Sequence, residues 1–594
     1  MANFYAPIDD TKYLIDEFLD TSELSDVSMF SEMTPDLTDA IFEEAGKITE
    51  SLLFPLNRSG DEQGCTLKNG NVTTPDGFKE AYKKMTRSGW GNLTCSTEYG
   101  GQGLPHYIAN SVDEMIISSN ISFSIYMGLT IGAYNAVEKF GTEELKKKFL
   151  PNMVSGKWSG TMCLTEPHCG TDLGLIRSKA IPQDDGSYNI SGSKIFISAG
   201  EHDLTENILH LVLARTPNSP KGIKGISLFL VPKIKVNDGG GLGELNNVVC
   251  SAIEYKMGIK ASSTCAMEFE GSNGFLVGEL NKGMKAMFIM MNSARIHVGI
   301  QGLALAHVSY CGAVDYAKDR IQGRALTGAK QPEKVADALI VHPDIRRMLM
   351  TMKAYTEGAR ALSTWLSFKL DISHHSTDPT KRQQADKLVS LLTPVFKSFL
   401  TDMGETVTSL GMQIYGGHGY IRENGMEQYL RDARICQIYE GANGVQALDL
   451  VGRKLPAHMG ESLRYFFHPL SKFLTQHSDD DSLDPYIQPL SKAFSRLQNA
   501  TLFIAKKGLS NPDEVGAAAS DYLKLFGFVA IGYMWAQMAE QIINNKGNMP
   551  DTFYDAKLKT GRFYMQRLLP QTESLLSSLM SGSDNIMDLA ESQF

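Results

Sequence analysis

The apolar residues of this 594-residue chain change their spacing twice, and those two changes limit the fold class more than any other feature. Across 37–156 they recur at helical intervals, as in Leu37, Ile41, Ala45, Ile48 and Leu52. Across 157–280 the interval falls to two: Tyr188 and Ile190, Ile195 and Ile197, Leu209, Leu211 and Leu213, Ile226, Leu228 and Leu230, then Met267 and Phe269, with Gly, Asn, Asp and Pro turns between. Helical spacing returns after Gly283. Met284–Gln322 is free of proline, and further helices are predicted over Asp344–Leu370 and Ala385–Gly411, the last kinked at Pro394. The chain therefore reads as mainly α with a central antiparallel, barrel-like β domain. Its segments are an N-terminal arm 1–36, a helical domain 37–156, the β domain 157–280, an up-and-down helical bundle 281–455 and a C-terminal helical extension 456–594.

Composition removes several classes of function. Net charge is −10, and residues 456–594 carry 12 Lys and Arg against 15 Asp and Glu, so no basic surface is on offer to nucleic acid. The eight cysteines are scattered, with no CxxC and no metal-like pairing with histidine, which predicts reduced thiols, no metal site and a cytoplasmic location. The N-terminal stretch MANFYAPIDDTKYLIDEFLD has acids where a targeting presequence has arginines. The most apolar run, Leu525–Met538, falls short of the ~18 residues that cross a bilayer and is predicted to be a buried helix, without stable membrane insertion.

Chemistry concentrates in Gln413–Leu455. Gly416, Gly417 and Gly419 form a loop that lets backbone approach a ligand, and a helical pattern starting near Glu427 stops at Glu440-Gly441 before another begins near Asn443. A carboxylate at a break between helices can point into a cleft, where partial burial would raise its pKa and suit it to act as a base. Two further stretches lie in the β domain. Met162–Asp172 (MCLTEPHCGTD) follows a non-helical path at Pro167 and Gly170, exposing N–H groups and the Thr165 and Thr171 hydroxyls, and Lys194–Gly200 (KIFISAG) closes a predicted strand. The glycine loop Glu98–Pro105 has no strand before it and a proline after it, so it is not a dinucleotide fingerprint.

In this order and spacing, QIYGGHG at 413–419, RDARICQIYEG at 431–441, TEPHCGTD at 165–172 and KIFISAG at 194–200 resemble the FAD-dependent acyl-CoA dehydrogenases. The resemblance implies FAD as cofactor and α,β-dehydrogenation of an acyl-CoA thioester to a trans-2-enoyl-CoA. Glu440 would remove the α-proton while its own N–H helps hold the developing enolate oxygen. By the same resemblance Met162, Leu164, Thr165, Gly170 and Thr171 line the flavin, Phe196 backs it, and Ile197 and Ser198 contact it. Arg320, Gln413, Gly416, Gly417 and Asn443 would serve its phosphate-bearing part, and Thr171, Arg295, Tyr439 and Gly441 the acyl-CoA.

Arg295 and Arg320 are 25 residues apart, hence ~37 Å along one helix, so they cannot serve one head group. The resemblance assigns Arg320 to the FAD of a neighbouring subunit, which requires at least a homodimer. Two departures stand out: Ala442 replaces a frequent threonine, passing that contact to Asn443 or to backbone, and Ala294, where some members carry their base, cannot accept a proton. The extension, the Tyr5-Ala6-Pro7 opening and the run His342–Arg347 resemble the long subgroup of the family. Its expected substrate is a short thioether or short-to-medium acyl group, with a fatty acyl group as the alternative, and its expected acceptor an electron-transferring flavoprotein, with oxygen, as in an oxidase, less favoured.

Overall fold

The computed structural model describes residues 3–237 and 239–594. They divide into a sheet unit, Ile48–Pro105 with Ser119–His297, and a bundle unit, Met1–Lys47 with His106–Ser118 and Val298–Phe594.

In the sheet unit the two-residue alternation becomes a seven-stranded sheet. Its ladder runs Trp158–Cys163, Asn207–Ala214, Ser227–Pro232, Thr264–Val277, Tyr188–Ser198, Lys179–Pro182, with Val248–Ile253 also on Thr264–Val277. One pair corrects the expected all-antiparallel order: Trp158–Cys163 lies parallel to Asn207–Ala214. Alternation reports which face a side chain takes, not strand direction, so the sequence could not distinguish the two. Every residue of Asn207–Ala214 is buried, because both faces are covered. Leu209, Leu211 and Leu213 pack with Val137, Phe149 and Trp158, while Val212 and Ala214 face Phe229, Val231, Met267 and Phe269. The helices on the first face start at polar caps: Asn120 accepts from Phe123 N at 3.0 Å, and Thr142 from Leu145 N at 3.3 Å.

The bundle unit is built on the helices Pro343–His375 and Pro379–Tyr415, the second capped by Asp378, which accepts from Thr380 N at 2.8 Å. Pro394 lies inside this second helix, which continues past it, and both helices extend beyond their predicted ends. The helix Gly283–Asp319, by contrast, stops short of the predicted Gln322, so Arg320 sits just beyond it, its N–H still bonded to Tyr316 O at 2.8 Å. Gly302 and Gly404 let two of these helices touch: a Cβ on Gly302 would lie 2.3 Å from Leu400 O.

The extension contributes Pro512–Asn544, a 33-residue helix that is long and apolar enough to cross a membrane by length and composition. Leu525–Met538 is almost wholly buried, as its apolar run predicted, and Trp535 Nε1 donates to Ala354 O at 3.1 Å. The N-terminal arm and the extension meet over buried charge. Arg360 binds Glu114 at 2.7 Å and also Asp10, while Lys557 binds Glu357 at 2.9 Å and also Asp10. Burial opposes the charge on Asp10, but Lys557 and Arg360 hold its carboxyl well below the usual range. All eight cysteines are free thiols.

Candidate active site

The break in the helical pattern is a real turn. Met426–Cys436 ends, Asn443–Asp449 begins, and between them Glu440 takes φ 55° and Gly441 φ 88°. Glycine adopts such angles freely; glutamate does so at a cost of ~1–3 kcal/mol, and persists there only if its surroundings hold it. The surroundings here are a fully buried lysine and two amides. Lys397 Nζ donates to Gly441 O at 2.9 Å and to Asn443 Oδ1 at 2.8 Å. Gln446 Nε2 lies 3.4 Å from the carbonyls of both Glu440 and Gly441. Asn443 N closes the turn on Gln437 O at 3.0 Å. The Glu440 side chain is half-buried.

Two residues predicted to touch ligands have side chains committed elsewhere in this turn. The Asn443 amide donates to Asp402 Oδ1 at 2.7 Å and Thr401 Oγ1 at 3.0 Å while its oxygen accepts from Lys397, which leaves backbone as its ligand-facing part. The Tyr439 hydroxyl donates to Gln301 Oε1 and sits 3.9 Å from Cys436 Sγ; burial pushes this phenol well above its ordinary pKa.

Gln413, Gly416 and Gly417 are exposed at the end of Pro379–Tyr415, where Gly416 turns with φ 58°. Tyr316 stacks on Tyr415 with ring centroids 4.0 Å apart and reaches His418 Nδ1 at 2.9 Å. Since Tyr316 is one turn before Arg320, the stack brings exposed Arg320 to the same end of the bundle as the glycine turn.

In the sheet unit the two predicted flavin stretches are adjacent. Ile195 N donates to Thr165 O at 2.9 Å, and buried Lys194 donates to Leu164 O at 3.1 Å and Glu166 Oε1 at 2.8 Å. Glu166 also accepts from Arg177 N at 2.7 Å and Ser178 Oγ at 2.6 Å. Burial alone would raise its pKa, but the Lys194 charge and these bonds bring it below the ordinary value. Burial lowers the pKa of Lys194, against the pull of Glu166. Glu166 and Cys169 exchange both backbone bonds, at 2.9 and 3.0 Å, which closes the Pro167-His168 turn.

Opposite this loop the ladder slips: Ile197 pairs with Cys265 but Lys194 with Met267, so Ile195 and Phe196 face the single residue Ala266. The bulge puts Phe196 at φ 59° and turns its ring out, 59% exposed. An aromatic residue in left-handed backbone is a genuine outlier and the bulge is its cause. Ser198 is half-buried, whereas Ile197 is 2% exposed and packs in the sheet core. Ile197 therefore offers a ligand only its backbone, a correction that follows from strand alternation. Met162 is likewise buried, Leu164 and Thr165 are half-buried, and Gly170 and Thr171 are exposed. An outward aromatic face beside Thr165, Thr171 and Ser198 fits a flat ring with a polar edge, as FAD has. Arg295 is 7% exposed, with Nη1 3.4 Å from Asn292 Oδ1.

Glu166, Lys194 and Lys397 were not singled out from the sequence, although a signal existed. Lys397 interrupts an apolar stretch, LLTPVFKSFL, and Lys194 falls four residues after buried Ile190, on the same strand face, positions where an unpaired charge would be costly.

Comparison with known proteins agrees along the chain. Family models match residues 68–157 (acyl-CoA dehydrogenase, N-terminal domain), 161–272 (middle domain), 281–455 (C-terminal domain) and 466–590 (acetyl-CoA dehydrogenase C-terminal like). The chain is similar to 3-methylmercaptopropionyl-CoA dehydrogenase of Ruegeria pomeroyi, 38% identical over 98% of this chain and 99% of that protein. A butyryl-CoA dehydrogenase of Syntrophomonas wolfei is 32% identical over 100% of this chain and 99% of its own. Among solved structures, an acyl-CoA dehydrogenase complexed with FAD from Bacillus anthracis has the same fold, with TM-score 0.76 and 20% identity over 98% of this chain and 93% of that one.

Proposed function

The chain belongs to the acyl-CoA dehydrogenase family, and on that premise we propose that it oxidises 3-methylmercaptopropionyl-CoA between C2 and C3, with Glu440 as the base. As a member of the family it is an FAD-dependent oxidoreductase acting on a CH–CH bond. FAD, when bound, supplies the acceptor for the hydrogen leaving C3. The chain's own residues do the rest. Glu440 takes the proton from C2, and its left-handed backbone, with the Gly441 carbonyl bonded to Lys397, fixes where that carboxylate and its own N–H are presented. An N–H aimed at a developing thioester enolate contributes ~3 kcal/mol to the transition state. Phe196 backs the ring, Thr165, Thr171 and Ser198 meet its polar edge, and Arg295 orients the acyl-CoA. The exposed end carrying Arg320, Gln413, Gly416 and Gly417 serves an FAD held by a second copy of the chain, so the active form is a homodimer. Electrons leave to an electron-transferring flavoprotein, and the free cysteines favour a cytoplasmic site of action.

The observation that carries this reading is the glutamate held at φ 55° on a helix break, in the setting of a relative of near-equal length. Anaerobic flavin bleaching with a panel of acyl-CoAs tests the substrate. Fastest bleaching is expected with 3-methylmercaptopropionyl-CoA, then butyryl-CoA; bleaching by long-chain acyl-CoAs alone would refute the assignment. The second reading, a butyryl-CoA dehydrogenase, rests on the Syntrophomonas relative and is the outcome if that order reverses. Oxygen consumption matching turnover would instead mark an oxidase.

A further inference from the structure

Three imidazoles meet in the bundle unit on residues that the dehydrogenation does not use. His106 opens the helix His106–Ser119, and His374 and His375 close Pro343–His375. One ring nitrogen of each lies within 4.8 Å of the other two. Nothing in the sequence between His106 and His374 marks this meeting, which the fold creates.

What distinguishes the cluster from a chance meeting of rings is a buried carboxylate behind it. Asp371, one turn before His375 and 0% exposed, accepts from His106 N at 2.8 Å and Tyr107 N at 3.0 Å. Its Oδ1 also lies 2.8 Å from His106 Nδ1. A carboxylate at that position places the ring proton on Nδ1 and leaves Nε2 as a lone-pair donor facing away from it. This is the arrangement by which outer-shell carboxylates orient metal-bound histidines. The His106 and His374 rings stand edge to face with centroids 5.3 Å apart, and the His375 ring is braced edge-on by Phe30 at 5.2 Å. His374 is exposed and the other two are half-buried, so an ion can enter directly from solvent.

We propose that His106, His374 and His375 bind one divalent transition-metal ion, Zn²⁺ being the class representative, with water completing the coordination and Asp371 positioning His106. Three neutral imidazoles suit Zn²⁺, Co²⁺ and Ni²⁺ and disfavour Mg²⁺ and Ca²⁺, which take oxygen ligands. The ion would join the start of one helix to the end of another, apart from any residue assigned to FAD or acyl-CoA.

The test is calorimetric titration of the FAD-loaded enzyme, stripped with chelator and desalted, with ZnCl₂, backed by elemental analysis. One tight Zn²⁺ per chain is expected, with no comparable heat from MgCl₂. Because His374 is exposed, His374→Ala should keep the wild-type flavin absorbance and Tm yet weaken Zn²⁺ binding at least ~10-fold. Asp371→Asn should weaken it ~10–100-fold through His106 alone. His168→Ala, in the separate Glu166, His168 and Cys169 grouping, should leave the titration unchanged. Absence of a tight site in the wild type, or equal affinity in a folded His374→Ala, would overturn the proposal, as would loss of the site in His168→Ala.

Discussion

The loop at the end of the sheet and the turn that carries Glu440 solve one problem with the same device. Each holds a non-glycine residue in left-handed backbone, Phe196 at φ 59° and Glu440 at φ 55°, and each is fastened by a fully buried lysine that donates to a backbone carbonyl. They differ in the second oxygen. Lys194 binds the carboxylate of Glu166, whereas Lys397 binds the amide oxygen of Asn443. A buried ion pair fixes a loop rigidly at high cost if either partner is removed, while in the Glu440 turn the lysine bonds neutral oxygens and the carboxylate of Asp402 is reached through the Asn443 amide. The contrast teaches that the loop before Phe196 is held by a buried ion pair, whereas the Glu440 turn is held by a network of lysine, amide and carbonyl groups.

The sharpest way to break this comparison is to remove each ammonium. Lys194→Met strands a buried carboxylate and should lower stability by ~3–5 kcal/mol in urea unfolding. Lys397→Met leaves two neutral acceptors and should cost ~1–3 kcal/mol, with a clear fall in kcat. Equal costs for the two would remove the distinction. A smaller effect separates strain from function at the bulge. Phe196→Gly relieves left-handed backbone and should leave stability unchanged or higher by ~1 kcal/mol. FAD affinity, read from flavin fluorescence, should nevertheless fall; unaltered affinity would take Phe196 out of the flavin site.

The least of the expected effects is a pH slope. Glu166 has its pKa lowered in the folded protein, so its contribution is fully present above the unfolded value of ~4.3 and is lost as pH falls through the folded value. Thermal unfolding below about pH 4 should therefore show loss of stability that Glu166→Gln lacks. A parallel slope in that variant would assign the acid sensitivity to other groups, such as Asp10 between Arg360 and Lys557.

Much of this architecture was legible in the sequence because it depends on periodicity. The central sheet, the long helices and the helix break at Glu440-Gly441 all follow from where apolar residues recur. Features that depend on partners far away in the chain were hidden. Nothing local marks the parallel pairing of Trp158–Cys163, the bulge that turns Phe196 outward, or the commitment of the Asn443 amide to Asp402. Helical spacing carries Arg320 inside a helix that ends one residue earlier, since Gln322 N pairs instead with Asp337 O at 2.9 Å. Lys397 is visible as a charge inside an apolar run, but its partner, the Gly441 carbonyl, emerges only from the fold, as does Glu166, the partner of Lys194.

The central claim, that Glu440 is the base, is tested most directly by mixing Glu440→Gln with 3-methylmercaptopropionyl-CoA under anaerobic conditions and following flavin absorbance. The variant should purify yellow with wild-type FAD content and bleach ~10³-fold more slowly, the loss expected when a general base is removed. Bleaching within a few-fold of the wild-type rate would contradict the account and move the base elsewhere in the chain.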